Sequence, residues 1–288
     1  MKNTILGFLL LLTTQAVSSQ HLPAYQLFDE NGRKTNFGRL VDRAAESQVI
    51  LFGELHNNPI SHWLQFELSR ELSDRKGKNL VLGAEMFESD NQLILTEYLS
   101  GLITERNFRA EAKLWRNYET DYRPLVELAR ERGIPFVATN IPRRYAAMVN
   151  RGGFEALETL SEEAKRYIAP LPIAYDANLP GYKAMLEMTG MPGHTGANLP
   201  KAQAIKDATM AHFLFKNLKP EGVFIHFNGA FHSNNFEGIY WYLRRLDPNL
   251  RILTISTVEQ DEVSDLEENY NGLADFIIAV PKTMTKTH

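Results

Sequence analysis

Four stretches of the chain place imidazole, carboxylate, amide or guanidinium groups directly after short apolar runs. Glu54 and His56 follow the run at 49–52, inside Gly53-Glu54-Leu55-His56-Asn57-Asn58. Glu85 closes the run at 80–82 through Gly83-Ala84. Asn140, Arg143 and Arg144 follow the run at 134–139, and His232 ends Gly229-Ala230-Phe231-His232 after the run at 223–227. The pattern G-x-x-H thus occurs twice, at Gly53/His56 and Gly229/His232. Glycine there is expected to free the backbone for a sharp turn that exposes the histidine. Imidazole and carboxylate donors of this kind suit Zn, Mn or Fe without thiolates. Arg143 and Arg144 are of the type that grips a carboxylate with two hydrogen bonds.

Each residue also has a purely structural reading. Glu85 reads as the partner of an arginine such as Arg143, and His56 as a loop histidine bonded to Glu54. His62 falls in a first helical turn, and His226 occupies a buried strand position as a satisfied core histidine.

The elements that must position these groups follow from the hydrophobic pattern. Short apolar runs at 49–52, 80–82, 134–139, 223–227, 251–256 and 276–280 read as strands buried on both faces. Helical stretches alternate with them: Asn58-Pro59 caps one that should reach Lys76, and Gly133 closes another at 124–132. Asn31-Gly32 predicts a hairpin at 25–37. Alternation of this kind predicts an α/β fold, a mostly parallel sheet with helices on both faces, and the carboxyl ends of its strands form the binding crevice. Residues 142–218 carry no strand signal and are broken by Pro170-Leu171-Pro172, Pro180-Gly181 and Met191-Pro192-Gly193. They read as a helical cap lobe inserted into an α/β body of residues 20–141 and 219–288.

Composition narrows the function further. The 288 residues are 44% hydrophobic and 23% charged with a net charge of −4, enough apolar content for a sizeable core and no basic field for nucleic acid. Cysteine is absent, which excludes disulfides, thiolate metal sites, a cysteine nucleophile and an N-terminal lipid on Cys. Lys2, the apolar residues 5–12 and the small polar residues 13–19 read as a secretory signal peptide at 1–19, too short to span a bilayer. The mature protein is expected to be exported, periplasmic or secreted.

The motifs, taken together and in order, resemble the haem-binding uptake proteins of the ChaN type, in the superfamily that also holds the Tiki proteases. The resemblance rests on Gly-Glu-Leu-His-Asn-Asn-Pro from Gly53, Ala-Glu-Met-Phe from Ala84, and Ala-Thr-Asn-Ile-Pro-Arg at 138–143. It continues through Ala202-Gln203, Lys206-Asp207-Ala208-Thr209-Met210-Ala211 and Phe227-Asn228-Gly229-Ala230-Phe231-His232, and covers roughly residues 45–260. It implies haem held between two copies of the chain by tyrosine, a homodimer, and a role in haem or iron acquisition alongside outer-membrane uptake machinery. Tyr175 and Tyr182, in the broken cap, are the candidate haem ligands, with Met185, Met188 and Met191 as soft neighbours. ChaN is a lipoprotein, and the absence of cysteine departs from that pattern. The related Tiki-type enzymes imply the alternative, a divalent-metal hydrolase. There Glu54, His56, Glu85 and His232 would hold a metal and activate its water, Arg143 would orient an anionic group, and Asp207 would stand behind the ligands. Rim and cap are expected to be two separate sites.

Overall fold

The structure is a computed structural model that describes residues 22–187 and 198–288. The expected signal segment at 1–19 lies outside the described residues, as do Met188 and Met191 of the cap.

Eight strands form one sheet: β1 (Gln26–Asp29), β2 (Lys34–Thr35), β3 (Val49–Glu54), β4 (Leu80–Glu88), β5 (Phe136–Asn140), β6 (Val223–Gly229), β7 (Ile252–Gln260) and β8 (Phe276–Pro281). Their order is β2-β1-β8-β7-β3-β6-β4-β5. The six strands from β8 to β5 run parallel, and β1 joins antiparallel to both β8 and β2. The expected hairpin is β1–β2, with Gly32 at φ +71 in its turn, a conformation that L side chains rarely adopt.

Alternation along the buried strands supplies both faces. Ile50 and Phe52 point into a core with Leu64, Leu68 and Leu72 of the helix Pro59–Lys76. Val49 and Leu51 point the other way, onto Ala208, Ala211 and Leu214 of the helix Leu199–Lys216 and Leu243 of the helix Ile239–Leu246. The first of these helices starts where the sequence requires: Asn58 Oδ1 accepts from Ile60 N at 3.0 Å and Ser61 N at 3.1 Å, with Pro59 following. This is the α/β architecture expected from the sequence.

The segment 142–218 divides in two. The helix Arg143–Gly152 and the short turns after it gather around a third core that includes Tyr145, Val149, Leu157 and Ile168. The helix Leu199–Lys216 lends Ala202 and Ile205 to that core while laying Ala208 and Ala211 on the sheet, beside β5. It is at once the last helix of the lobe and a crossover helix of the body. Sheet register sets the level of the rim: Glu54 of β3 lies opposite Gly229 of β6, and Ala84 of β4 opposite Phe227. The ends of three neighbouring strands therefore meet at one height.

Candidate functional site

Glu54, His56, Glu85 and His232 do converge at the carboxyl edge of the parallel sheet. Glu54 is buried and fully engaged. His56 Nδ1 faces its Oε1 at 2.8 Å, Gln65 Nε2 donates to Oε2 at 2.5 Å, and the Tyr122 hydroxyl donates to Oε1. His62 joins from the same helix as Gln65, bonded to Gln65 Oε1 at 3.0 Å and to the His56 carbonyl at 3.0 Å. The result is a carboxylate that fixes one nitrogen of His56 and leaves Nε2 aimed across Gly229 towards Glu85.

Glu85 belongs to a second chain of contacts. Its Oε2 accepts from Gly229 N at 2.9 Å, and its Oε1 lies 3.2 Å from His232 Nε2. His232 Nδ1 faces Asp207 Oδ1 at 2.5 Å, and Tyr182 donates its hydroxyl to Asp207 Oδ2 at 2.8 Å. Gln203, one turn before Asp207 on the helix Leu199–Lys216, sets its amide nitrogen 2.9 Å from His232 Nδ1. All five side chains of this chain of contacts are buried.

The electrostatics follow from burial and pairing. Burial disfavours the His232 cation, but Glu85 and Asp207 on either side outweigh it and push His232 up to about 9. Burial likewise opposes charge on Glu85, yet the facing His232 holds it well below the usual carboxylate range. Burial raises Asp207, only partly offset by His232. Burial would lower His56, but its bond to Glu54 and the nearby Glu85 raise it. His226 is the core histidine expected: its nitrogens meet Thr139 Oγ1 at 2.7 Å and Asn228 Oδ1 at 3.1 Å, and burial drives it down to about 4.

The expected metal centre finds no support in this arrangement. Among the described residues no group of three or more His, Asp or Glu side chains is placed to hold a metal ion. The donors are committed to one another instead: both nitrogens of His232 face carboxylates, and Glu54 satisfies three donors at once. Glu85 pairs with His232 rather than with Arg143, and Arg144 pairs with Asp90 at 2.6 Å.

The two glycines serve a purpose other than the one expected. Gly229 has φ −54, and Gly53 has no positive φ either. What they provide is close approach. A Cβ on Gly53 would lie 2.9 Å from both Ala230 Cα and Ile255 O, and one on Gly229 would lie 2.8 Å from His56 Nε2.

Above His56 and Glu85 opens a cleft of about 500 Å³, also lined by Trp115, Arg116, Asn117 and Arg143. Trp115 packs edge-on against the His56 ring at 4.9 Å, and Asn117 donates to the His56 carbonyl at 2.7 Å. The sequence reading names Gln203 only within a motif and gives no site role to it or to Gln65, Trp115, Arg116, Asn117 and Tyr122. Only two left a signal, in helical spacing: Gln65 three residues after His62, and Gln203 four before Asp207.

The two candidate haem ligands part company. Tyr182 is 3% exposed and spends its hydroxyl on Asp207. It is a structural residue of the rim network, and its phenol is not presented to an external ligand. Tyr175 is half-buried, stacked on Tyr182 at 5.6 Å and edge-on to Phe154 at 5.6 Å. Its hydroxyl has no hydrogen bond among the described residues. Lys201 Nζ stands 5.8 Å from the Phe154 ring. Leu186 (51% exposed) lies on the helix Pro180–Glu187 that carries Tyr182, and Phe231 (41% exposed) lies beside the start of that helix, 3.6 Å from where a Cβ on Gly181 would be. A free phenol, exposed apolar side chains and a lysine at the edge of the aromatic pair are what an iron porphyrin with propionates requires, and in that sense these residues fit haem.

Comparison with known proteins places the chain in a family. The profile of the family described as "Haem-binding uptake, Tiki superfamily, ChaN" matches residues 40–243, and the chain belongs to that family. A solved structure described as "Cofacial heme binding to ChaN of Campylobacter jejuni" superposes with a TM-score of 0.64 at 17% identity, covering 88% of this chain and 96% of that one. A mutant of the erythromycin esterase EreC in its open conformation gives a TM-score of 0.52 at 10% identity, covering 91% and 98% of the two chains. A Bacillus cereus protein gives 0.51 at 12%, covering 84% and 90%. At such identities these likenesses show a shared fold. No curated protein matches the sequence.

Proposed function

We propose that this protein is an exported haem-binding protein of the ChaN type that serves haem or iron acquisition. The observation that carries the reading is Tyr175, a half-buried phenol without a hydrogen bond among the described residues, set in an aromatic group within a chain of the haem-binding uptake family. When bound, haem supplies a ferric iron for which a phenolate is a suitable axial ligand. Phe154 and Tyr182 hold the Tyr175 ring in place, Leu186 and Phe231 offer apolar surface for the porphyrin, and Lys201 offers a cation for a propionate. The apolar start of the chain, residues 5–12 after Lys2, supports export. A homodimer around haem, delivered by or to outer-membrane uptake machinery, belongs to the same reading and rests on the family alone.

The test is an absorption titration of the purified protein with hemin, paired with sedimentation before and after. The expected result is a saturable high-spin ferric spectrum with a tyrosinate charge-transfer band and a shift to dimer. A hemin spectrum unchanged by the protein would refute the proposal.

A further inference from the structure

The rim cleft carries a feature outside the haem site proposed above. Arg116 and Arg143 both border it, both are exposed, and neither has a hydrogen bond or ion pair among the described residues. The neighbouring Arg144, by contrast, is paired with Asp90 and packed over Tyr145. Between them the floor is built, not open. Glu85 is anchored by Gly229 N and paired with His232, which fixes both of its oxygens on the protein. His56 is fixed at Nδ1 by Glu54 and at one face by Trp115, and its Nε2 has no protein partner. Its side chain is 43% exposed.

We propose that this cleft is a second ligand site, for a small molecule that carries an oxyanion, carboxylate or phosphate, and a hydroxyl group close by. The two guanidinium groups take the oxyanion through charge-assisted hydrogen bonds. The hydroxyl meets His56 Nε2, and because a hydroxyl both donates and accepts, it suits that nitrogen in either protonation state. Trp115 offers an apolar wall, and the cleft has the volume usual for small-molecule sites, roughly 300–1,000 Å³. Arg116 and Arg143 come from elements far apart in sequence, so their convergence on one cleft is a product of the fold.

Calorimetric titration of the purified full chain with malate, glycerol phosphate and succinate tests this. Malate and succinate differ only in the hydroxyl, and malate and glycerol phosphate separate the two oxyanion sources. At least one of the two hydroxylated ligands should bind, and if it is malate, succinate should bind several-fold more weakly. Arg116→Ala and Arg143→Ala should each weaken binding by about tenfold, the usual range for one charge-assisted contact. His56→Gln should weaken the hydroxylated ligands specifically. Both arginines are exposed, so their loss should leave the circular dichroism spectrum intact. Absence of binding by either hydroxylated ligand, or binding unchanged in both arginine variants, would overturn the site. Displacement of the ligand by one equivalent of hemin would also overturn it, by placing haem propionates on these arginines.

Discussion

Tyr182 donates its phenolic proton to Asp207 at 2.8 Å, and the other oxygen of the same carboxylate faces His232 at 2.5 Å. The cap and the rim, expected as two independent sites, are therefore joined through one buried acid. The reason lies in the helix Leu199–Lys216, which serves both the lobe and the sheet and carries Asp207 at the seam. Tyr182→Phe removes a donor from a buried carboxylate without changing the ring. It should cost about 1–3 kcal/mol of unfolding free energy, the price of leaving such a group short of one partner. Urea denaturation of the variant beside wild type measures it, and an unchanged midpoint would show that the bond contributes nothing.

The His232 cation should make stability depend on pH in a defined direction. Its folded value, about 9, lies above the ordinary 6.5. Its contribution is then fully present below the ordinary value and is lost as pH rises through the folded one. Glu85 is shifted downward, so its share is present above the ordinary carboxylate value and is lost on acidification. Unfolding free energy measured by urea should therefore fall from pH 6.5 to pH 9.5, by an amount on the order of a few kcal/mol. In His232→Gln that slope should flatten. His232→Ala should be worse than flat: two buried carboxylates lose their counter-ion, a change that typically costs about 3–5 kcal/mol. A His232→Ala protein as stable as wild type would contradict the buried pairing.

Gly53→Ala and Gly229→Ala separate two kinds of crowding. At Gly53 the new methyl meets backbone on both sides, Ala230 Cα and Ile255 O at 2.9 Å. At Gly229 it meets a side chain, the His56 ring, which is partly exposed and can yield by giving up its bond to Glu54. Gly53→Ala should destabilise by about 1–3 kcal/mol or more, as overpacking of a rigid interior does. Gly229→Ala should cost less in stability and instead displace His56. Thermal unfolding of both variants gives the ranking, and the reverse order would contradict it.

Much of this was legible in the sequence because strands buried on both faces and capped helices leave local marks. Val49 to Phe52 and Asn58-Pro59 each announce their element within a few residues, and the apolar runs lead directly to Glu54, Glu85 and His232, although β4 continues through Glu85 to Glu88. What stayed hidden depends on tertiary register. That Tyr182 turns inward to Asp207 while Tyr175 stays half-buried is decided by how the lobe sits against the helix Leu199–Lys216, and two tyrosines seven residues apart carry no trace of it. The metal reading found no support for a similar reason. Residue types fix which donors are present, but only distances reveal that they are spent on each other. The role of Gly53 and Gly229 was also invisible, since close approach to a neighbouring strand or ring is not a property of the local sequence.

The most direct test of the account sets Tyr175→Phe beside Tyr182→Phe in the same hemin titration, each checked for folding by circular dichroism. Tyr175 has a hydroxyl to offer, and Tyr182 has already given its own to Asp207. The account predicts that Tyr175→Phe loses the tyrosinate charge-transfer band while Tyr182→Phe keeps it. A band that survives in Tyr175→Phe, or one that vanishes in a folded Tyr182→Phe alone, would contradict it.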